Sequence, residues 1–140
     1  MIDAIKRGKR VQLIKTEKAN GENAQVSYNY ELNAWIICSK NVSLLARKRD
    51  DLNKYNEPRY NYAVMMAETW FDLIEPLDSD KILSLKQLLD RFTIIGEYCG
   101  NPDYQHLVRY DKIHLRWFAM VENNSSQFCL DPFYVQKELA

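Results

Sequence analysis

Short stretches of alternating polar and hydrophobic residues run through the chain, and this pattern is typical of β-strands that bury one face. Val26, Tyr28 and Tyr30, for example, fall on one side of such a stretch, with polar residues between them. The pattern predicts strands at 11–14, 26–30, 34–39, 92–100, 107–110 and 115–121, and 42–46 is a further apolar run. The stretches 26–30 and 34–39 are close enough in sequence to form an antiparallel hairpin.

Helices are predicted where hydrophobic residues recur every three or four positions. The first covers 59–74 and ends before Pro76, since a proline disfavours helical geometry at the residue before it. A shorter helix is predicted at 84–90, and Asp131 followed by Pro132 is typical of the cap and first position of a C-terminal helix. The elements together predict an α+β fold with mainly antiparallel sheets and flanking helices.

Composition limits the classes of partner and compartment. The 140 residues predict one domain, and 19 basic against 19 acidic side chains give no global electrostatic case for nucleic acid. Cys38, Cys99 and Cys129 are widely spaced without a Cys-x-x-Cys pair, which disfavours zinc and disulfides and favours a reducing, intracellular compartment, cytoplasmic or nuclear. No stretch is long and apolar enough to predict a membrane segment.

Basic residues cluster locally in two places. Lys6, Arg7, Lys9 and Arg10 form a short basic arm, and Lys40 lies close in sequence to the basic run 47–49. Each cluster is either a solvated surface or a contact for nucleic-acid phosphates, which would add salt-dependent affinity without reading sequence.

The segment Lys18-Ala19-Asn20-Gly21-Glu22 carries the strongest chemical signal. Asn20 and Gly21 predict a tight turn entering a strand, because both residues tolerate positive φ. A lysine before such a turn is either a solvated hairpin residue or an amine held at the end of a sheet. As a nucleophile it must lose its proton, although a lysine in water has a pKa of about 10.4.

This segment resembles motif I of the covalent nucleotidyltransferases, the Lys-x-(Asp/Asn)-Gly signature of ATP-dependent DNA and RNA ligases and capping guanylyltransferases. Ser39-Lys40-Asn41 resembles motif Ia, Gly96-Glu97-Tyr98 resembles motif III, and the strand containing Trp117-Phe118 resembles motif IIIa. The resemblance covers residues from about 11 to 122, in the family's motif order.

The resemblance implies a role for each matching residue. Lys18 would attack the α-phosphorus of ATP and form lysyl-AMP, and the AMP would then pass to the 5′-phosphate end of an RNA for sealing to a 3′-hydroxyl. Phe118 would stack on the adenine, and Glu97 would contact the ribose or hold Mg²⁺. The remaining nucleotide contacts would come from Glu17, Asn20, Gly21 and Lys40.

Motifs IV and V of the family are not found after Phe118, so the resemblance implies a partial domain with a possible C-terminal extension. Asn20 favours an RNA ligase over a DNA ligase or capping-type relative, which generally carries Asp there. A non-catalytic nucleotide- or nucleic-acid-binding module and an interaction domain with coincidental motifs remain alternatives. His106 and His114 are interpreted as structural or surface residues.

Overall fold

Five antiparallel strands form a single sheet in the computed structural model, which describes residues 2–102, 108–124 and 128–138. Their order across the sheet is β3-β2-β1-β4-β5. The strands are β1 (Glu22–Asn29), β2 (Ala34–Cys38), β3 (Ser43–Ala46), β4 (Phe92–Cys99) and β5 (His114–Glu122). The central strands β1 and β4 therefore join segments that are far apart in the sequence.

Four helices accompany the sheet: α1 (Ile2–Lys6), α2 (Asn61–Ile74), α3 (Ser79–Arg91) and α4 (Pro132–Glu138). Two 3₁₀ helices, Arg49–Lys54 and Pro58–Tyr60, lie between β3 and α2. No helix of the described ranges is long and apolar enough to cross a membrane. The architecture is thus α+β, with a five-stranded antiparallel sheet and flanking helices.

Alternation along the strands separates a buried face from an open one. Val26 pairs with Ile37 on one side and with Ile94 on the other, and Ile94 pairs with Met120. All four side chains are fully buried. The residues between them, such as Gln25 on β1, are half-buried, so the second face of the sheet is only partly covered.

Three tryptophans link the helix α2 to both halves of the sheet. The ring of Trp70 on α2 lies 5.3 Å from Trp35 of β2 and 6.0 Å from Trp117 of β5, both in edge-to-face geometry. Such pairs stabilise the fold beyond the area they bury. Leu89 of α3 and Val135 of α4 join the same hydrophobic cluster.

An arginine fixes the first 3₁₀ helix to α2. The Arg49 guanidinium donates to the carboxylates of Asp72 at 2.7 Å and Glu75 at 2.8 Å, and it also contacts Glu68. These carboxylates raise the pKa of Arg49, and the arginine in turn lowers the pKa of Glu75. Arg49 therefore keeps its charge while it holds the β3–α2 connection in place.

Most predicted elements are confirmed, often with shifts of one or two residues, whereas α1 was not predicted. The stretch 11–14 has no regular secondary structure and pairs with no strand of the described residues, and 108–110 is irregular, while Leu107 lies outside the described residues. The helix predicted at 84–90 begins at Ser79, because Asp78 accepts from the Lys81 N–H at 2.9 Å as its cap. The strand predicted from Val26 begins at Glu22.

The contrast between Leu44 and Leu45 tests the assignment of the two faces. Leu44 is fully buried and its neighbour Leu45 is 46% exposed. We expect Leu44→Ala to lower the free energy of unfolding by about 2–5 kcal/mol, because it removes core packing and leaves a cavity. The matched variant Leu45→Ala is expected to change it by about 0.5 kcal/mol at most. Urea denaturation measures both, and equal losses would contradict the assignment.

Candidate functional site

Residues 9–20, here called the strap, connect α1 to β1 without regular secondary structure. Residues 12–18 are all exposed, and the chain becomes buried only at Ala19. Lys18 makes no hydrogen bond or ion pair with any residue that the structure describes. The lysine of the motif I segment is thus a solvent-facing amine immediately before the point where the chain enters the fold.

Asn20 anchors the end of the strap. Its backbone N–H donates to the hydroxyl of Tyr110 at 3.0 Å, and its side-chain Oδ1 accepts from the Val108 N–H at 2.8 Å. Both partners belong to the connection between β4 and β5. Asn20 therefore ties the residues next to Lys18 to a distant loop.

Gly21 is required by close packing against β4. A Cβ atom at this position would lie 2.2 Å from the carbonyl oxygen of Tyr98 and 2.9 Å from Sγ of Cys99. The chain bends at Gly21 as it enters β1, but neither Asn20 nor Gly21 uses a positive φ, since among the described residues only Gly8, Asn33 and Gly100 do. The glycine is there because β1 begins in direct contact with β4.

Three side chains form a row across β1, β4 and β5. Glu97 of β4 pairs in register with Asn23 of β1 on one side and with Arg116 of β5 on the other. Asn23 lies two residues after Gly21, so this row brings Glu97 to the end of the sheet where the strap enters. The motif I and motif III segments are therefore neighbours in the fold.

Arg116 connects this row to the strap. Its guanidinium donates to both carboxylate oxygens of Glu17, at 3.2 and 3.4 Å. The ion pair lowers the pKa of Glu17 and raises that of Arg116, with the hydrogen bond as the largest cause in each case. Glu17 is thereby fixed next to β5 although it lies in an exposed segment.

A bulge in β5 places the neighbouring side chains of Trp117 and Phe118 in different environments. Ile95 pairs with Ala119 and Gly96 with Trp117, which leaves Phe118 as the extra residue. Trp117 packs on Trp70 in the core, whereas Phe118 is 46% exposed. The ring of Phe118 is therefore free on one side to contact a ligand.

A cavity of about 680 Å³ opens between the strap, β5 and α4. The strap contributes 12–17, β5 contributes 115–118, and α4 contributes Pro132, Phe133, Val135 and Gln136. Of the residues predicted for nucleotide binding, Glu17 and Phe118 line this cavity, while Lys18, Asn20, Gly21, Lys40 and Glu97 do not. The cavity volume lies in the usual range for ligand sites.

Other predicted residues lie apart from the cavity. Lys40 is exposed in the turn between β2 and β3, and β1 separates it from Glu97. No group of three or more metal-ligating side chains occurs within the described ranges, so Glu97 belongs to no such group there. His106 lies outside the described residues, and His114 bonds through Nδ1 to the Lys112 carbonyl at 3.0 Å, which fits a structural residue.

Sequence reasoning missed Arg116, Tyr110 and Cys99 as members of this region. Cys99 is fully buried against Gly21, and burial raises the pKa of its thiol. These contacts join residues separated by most of the chain, such as Glu17 and Arg116. No local pattern in the sequence signals such pairs.

Comparisons with protein-family models, curated proteins and solved structures find no match to this chain. The functional interpretation therefore rests on the residues and on their arrangement in the fold.

Two substitutions at Asn20 test whether its amide oxygen anchors the loop. We expect Asn20→Ala to raise hydrogen exchange at the Val108 amide and to lower stability by roughly 1 kcal/mol, because the acceptor is lost. Asn20→Asp keeps an acceptor oxygen and is expected to retain protection of that amide. Hydrogen-exchange NMR measures both, and equal protection in all three proteins would refute the anchor.

The Glu17–Arg116 pair predicts a measurable titration. The pKa of Glu17 is lower in the folded state than in the unfolded state. The pair therefore stabilises the fold at pH values above the unfolded-state pKa, and this stabilisation is lost as the pH falls through the folded-state pKa. In Arg116→Gln we expect the carboxyl of Glu17 to titrate at a higher pH than in the wild type, as followed by carbon-detected NMR. An unchanged midpoint would show that the contact does not persist in solution.

Proposed function

We propose that this protein is a covalent nucleotidyltransferase of the ATP-dependent RNA-ligase type, with Lys18 as the nucleophile. The observation that carries the proposal is the adjacency of β1, β4 and β5. These strands carry or directly follow the segments that resemble motifs I, III and IIIa. Their register brings the entry of the strap, Glu97 and Arg116 to one end of the sheet.

The proposed roles follow the positions of the side chains. Lys18 projects from the strap immediately before Asn20 and Gly21 fix the backbone. Phe118 offers a half-exposed ring for stacking on the adenine, a contact worth about 1–3 kcal/mol in nucleic-acid binders. Glu17, held by Arg116, lies close enough to the same ring to line one cavity with it.

Each step of the reaction forms one bond and breaks one. The unprotonated amine of Lys18 donates its electron pair to the α-phosphorus of ATP, the bond from that phosphorus to the bridging oxygen breaks to release pyrophosphate, and the nitrogen loses a proton to solvent. The AMP then passes to a 5′-phosphate of RNA as the phosphorus–nitrogen bond breaks, and a 3′-hydroxyl attacks that 5′-phosphate and displaces AMP to seal the strand. Proteins assist such transfers mainly by positioning the groups and stabilising phosphoryl charge.

The proposed reaction would use a magnesium ion whose ligands come mainly from ATP. Mg²⁺ is usually held by one or two carboxylates together with substrate phosphates, rather than by a complete protein cage. Glu97 could supply one such carboxylate, and the ion would neutralise phosphate charge. The family's phosphate-binding lysines of motif V have no counterpart found in this chain, so transfer by these residues alone should be slow.

The exposure of Lys18 favours a second candidate, a non-catalytic nucleotide-binding module. Its amine lies outside the set of cavity-lining residues, whereas Glu17 and Phe118 belong to it. A binding module needs the stacking ring and a pocket but no nucleophile. The two candidates differ in one product, which is a covalent AMP adduct.

Incubation with ATP labelled in the α-phosphate and Mg²⁺ distinguishes these candidates. We expect wild-type protein to gain label and the mass of one AMP, with peptide mapping placing the adduct on Lys18. Lys18→Arg should abolish the adduct, because arginine keeps the charge but is not nucleophilic. Lys9→Arg, a matched change in the exposed strap, should leave it intact.

Two results would count against nucleotidyl transfer. Label that persists in Lys18→Arg would exclude Lys18 as the nucleophile. Saturable ATP binding without any adduct, measured by calorimetry on the same wild-type sample, would favour the binding module.

A further inference from the structure

Positive charge is concentrated at the start of the chain. Residues 6–18 contain six of the 19 basic side chains and one of the 19 acidic ones, so the remainder of this neutral chain is net negative. The single acid, Glu17, is paired with Arg116. The charge separation thus creates a cationic track on a protein that has no overall basic character.

The cations of this segment are all on the surface. Arg7, Lys9, Arg10 and Lys15 are exposed, and the chain from residue 9 to residue 20 is without helix or strand. Lys15 also lines the cavity. A flexible single strand of nucleic acid can bring several phosphates to cations spread along such a segment, whereas a compact ligand would meet only one or two of them.

Aromatic surface faces the strap across the cavity. Phe133 at the start of α4 is 62% exposed and lines the cavity together with Lys15 and Thr16 of the strap. The exposed ring of Phe118 borders the same space. Cationic grooves combined with aromatic rings are the usual means of holding single-stranded nucleic acid without sequence preference.

We propose that the groove between the strap, β5 and α4 binds a single strand of RNA, with its phosphates on the strap cations and a base on Phe133. This inference rests on the proposed function, for which it supplies the surface that takes the RNA substrate. Arg7 lies just before the strap and Lys18 lies within it, so the same segment carries the cations and the proposed nucleophile.

Salt dependence tests the cationic track directly. Binding of a fluorescent, 5′-phosphorylated oligouridine of about 12 nucleotides, within the range of single-strand sites, is followed by anisotropy between about 50 and 200 mM salt. In the full chain carrying Arg7→Gln, Lys9→Gln, Arg10→Gln and Lys15→Gln, we expect the salt slope to fall by about 0.7 per lost phosphate contact. Affinity near 0.1 M salt should fall by about fivefold per contact.

A control variant removes the same number of positive charges from other parts of the surface. Lys54→Gln, Arg59→Gln, Lys81→Gln and Lys112→Gln remove four exposed cations that lie outside residues 6–18, outside the basic run 47–49 and outside the cavity lining. This variant should bind RNA as the wild type does. Equal losses in the two variants would show a general charge effect and overturn the proposal, and so would a wild type that does not bind.

Two alanine variants, one inside the cavity and one outside it, test the stacking contact. Phe133→Ala should weaken RNA binding by roughly five- to hundredfold without changing the salt slope. Phe128→Ala removes a ring that is 69% exposed and does not line the cavity, so its affinity should match that of the wild type. Thermal unfolding of both variants checks that the fold persists, and unchanged affinity in a folded Phe133→Ala protein would exclude the stacking contact.

The result of the RNA-binding test can be distinguished from the result of the AMP-adduct test. RNA binding that depends on the strap, in a protein that forms no AMP adduct, supports the groove and counts only against the enzyme. An AMP adduct in a wild-type protein whose RNA affinity is unaffected by the strap substitutions supports the enzyme and overturns the groove.

Discussion

The antiparallel pairing of β1 with β4 is the constraint on which the rest of the structure depends. It joins the N-terminal half of the chain to the C-terminal half, and it places Asn23 opposite Glu97. The contact is closest at Gly21, where there is no room for a side chain against the Tyr98 carbonyl. Without this pairing the strap, Glu97 and Arg116 would have no common location.

The structure explains the presence of some residues in the segment that resembles motif I but not of others. Gly21 is required by packing and Asn20 by two hydrogen bonds to the β4–β5 connection, so either could be present in a protein without nucleotide chemistry. Lys18 is different, because it is exposed and makes no hydrogen bond or ion pair with the described residues. A structural role therefore accounts for Asn20 and Gly21. It does not account for Lys18, so a test of chemical function is most informative at that residue.

Local patterns in the sequence predict most of the secondary structure, because strand alternation and helical spacing reflect burial directly. The hairpin of β1 and β2, the helix α2 and the capped start of α4 are all of this kind. The stretch 11–14 shows how such reasoning fails. Its residues suit a strand, but none of them pairs with a strand of the described residues, and Leu13 remains exposed.

The candidate site could be predicted only in part, since its geometry depends on contacts between distant segments. Glu17 and Phe118 were predicted and do line one cavity. The salt bridge that holds Glu17 in place comes from Arg116, and no feature of the strap sequence identifies that partner. The sequence likewise does not reveal that Lys40 lies on the far side of β1 from Glu97.

The extra residue in β5 has a consequence for how this chain can change during evolution. Side chains alternate along a strand, so shifting the register by one position exchanges its two faces. Because Phe118 is the extra residue, its loss alone would leave Trp117, Ala119 and Met120 as consecutive partners of Gly96, Ile95 and Ile94, with Trp117 and Met120 still on the core face. Loss of one residue from a regular part of the strand, where no extra residue is present, would exchange the faces of the residues on one side of it. The bulge is therefore the one position in β5 where a single-residue deletion keeps the core pairing.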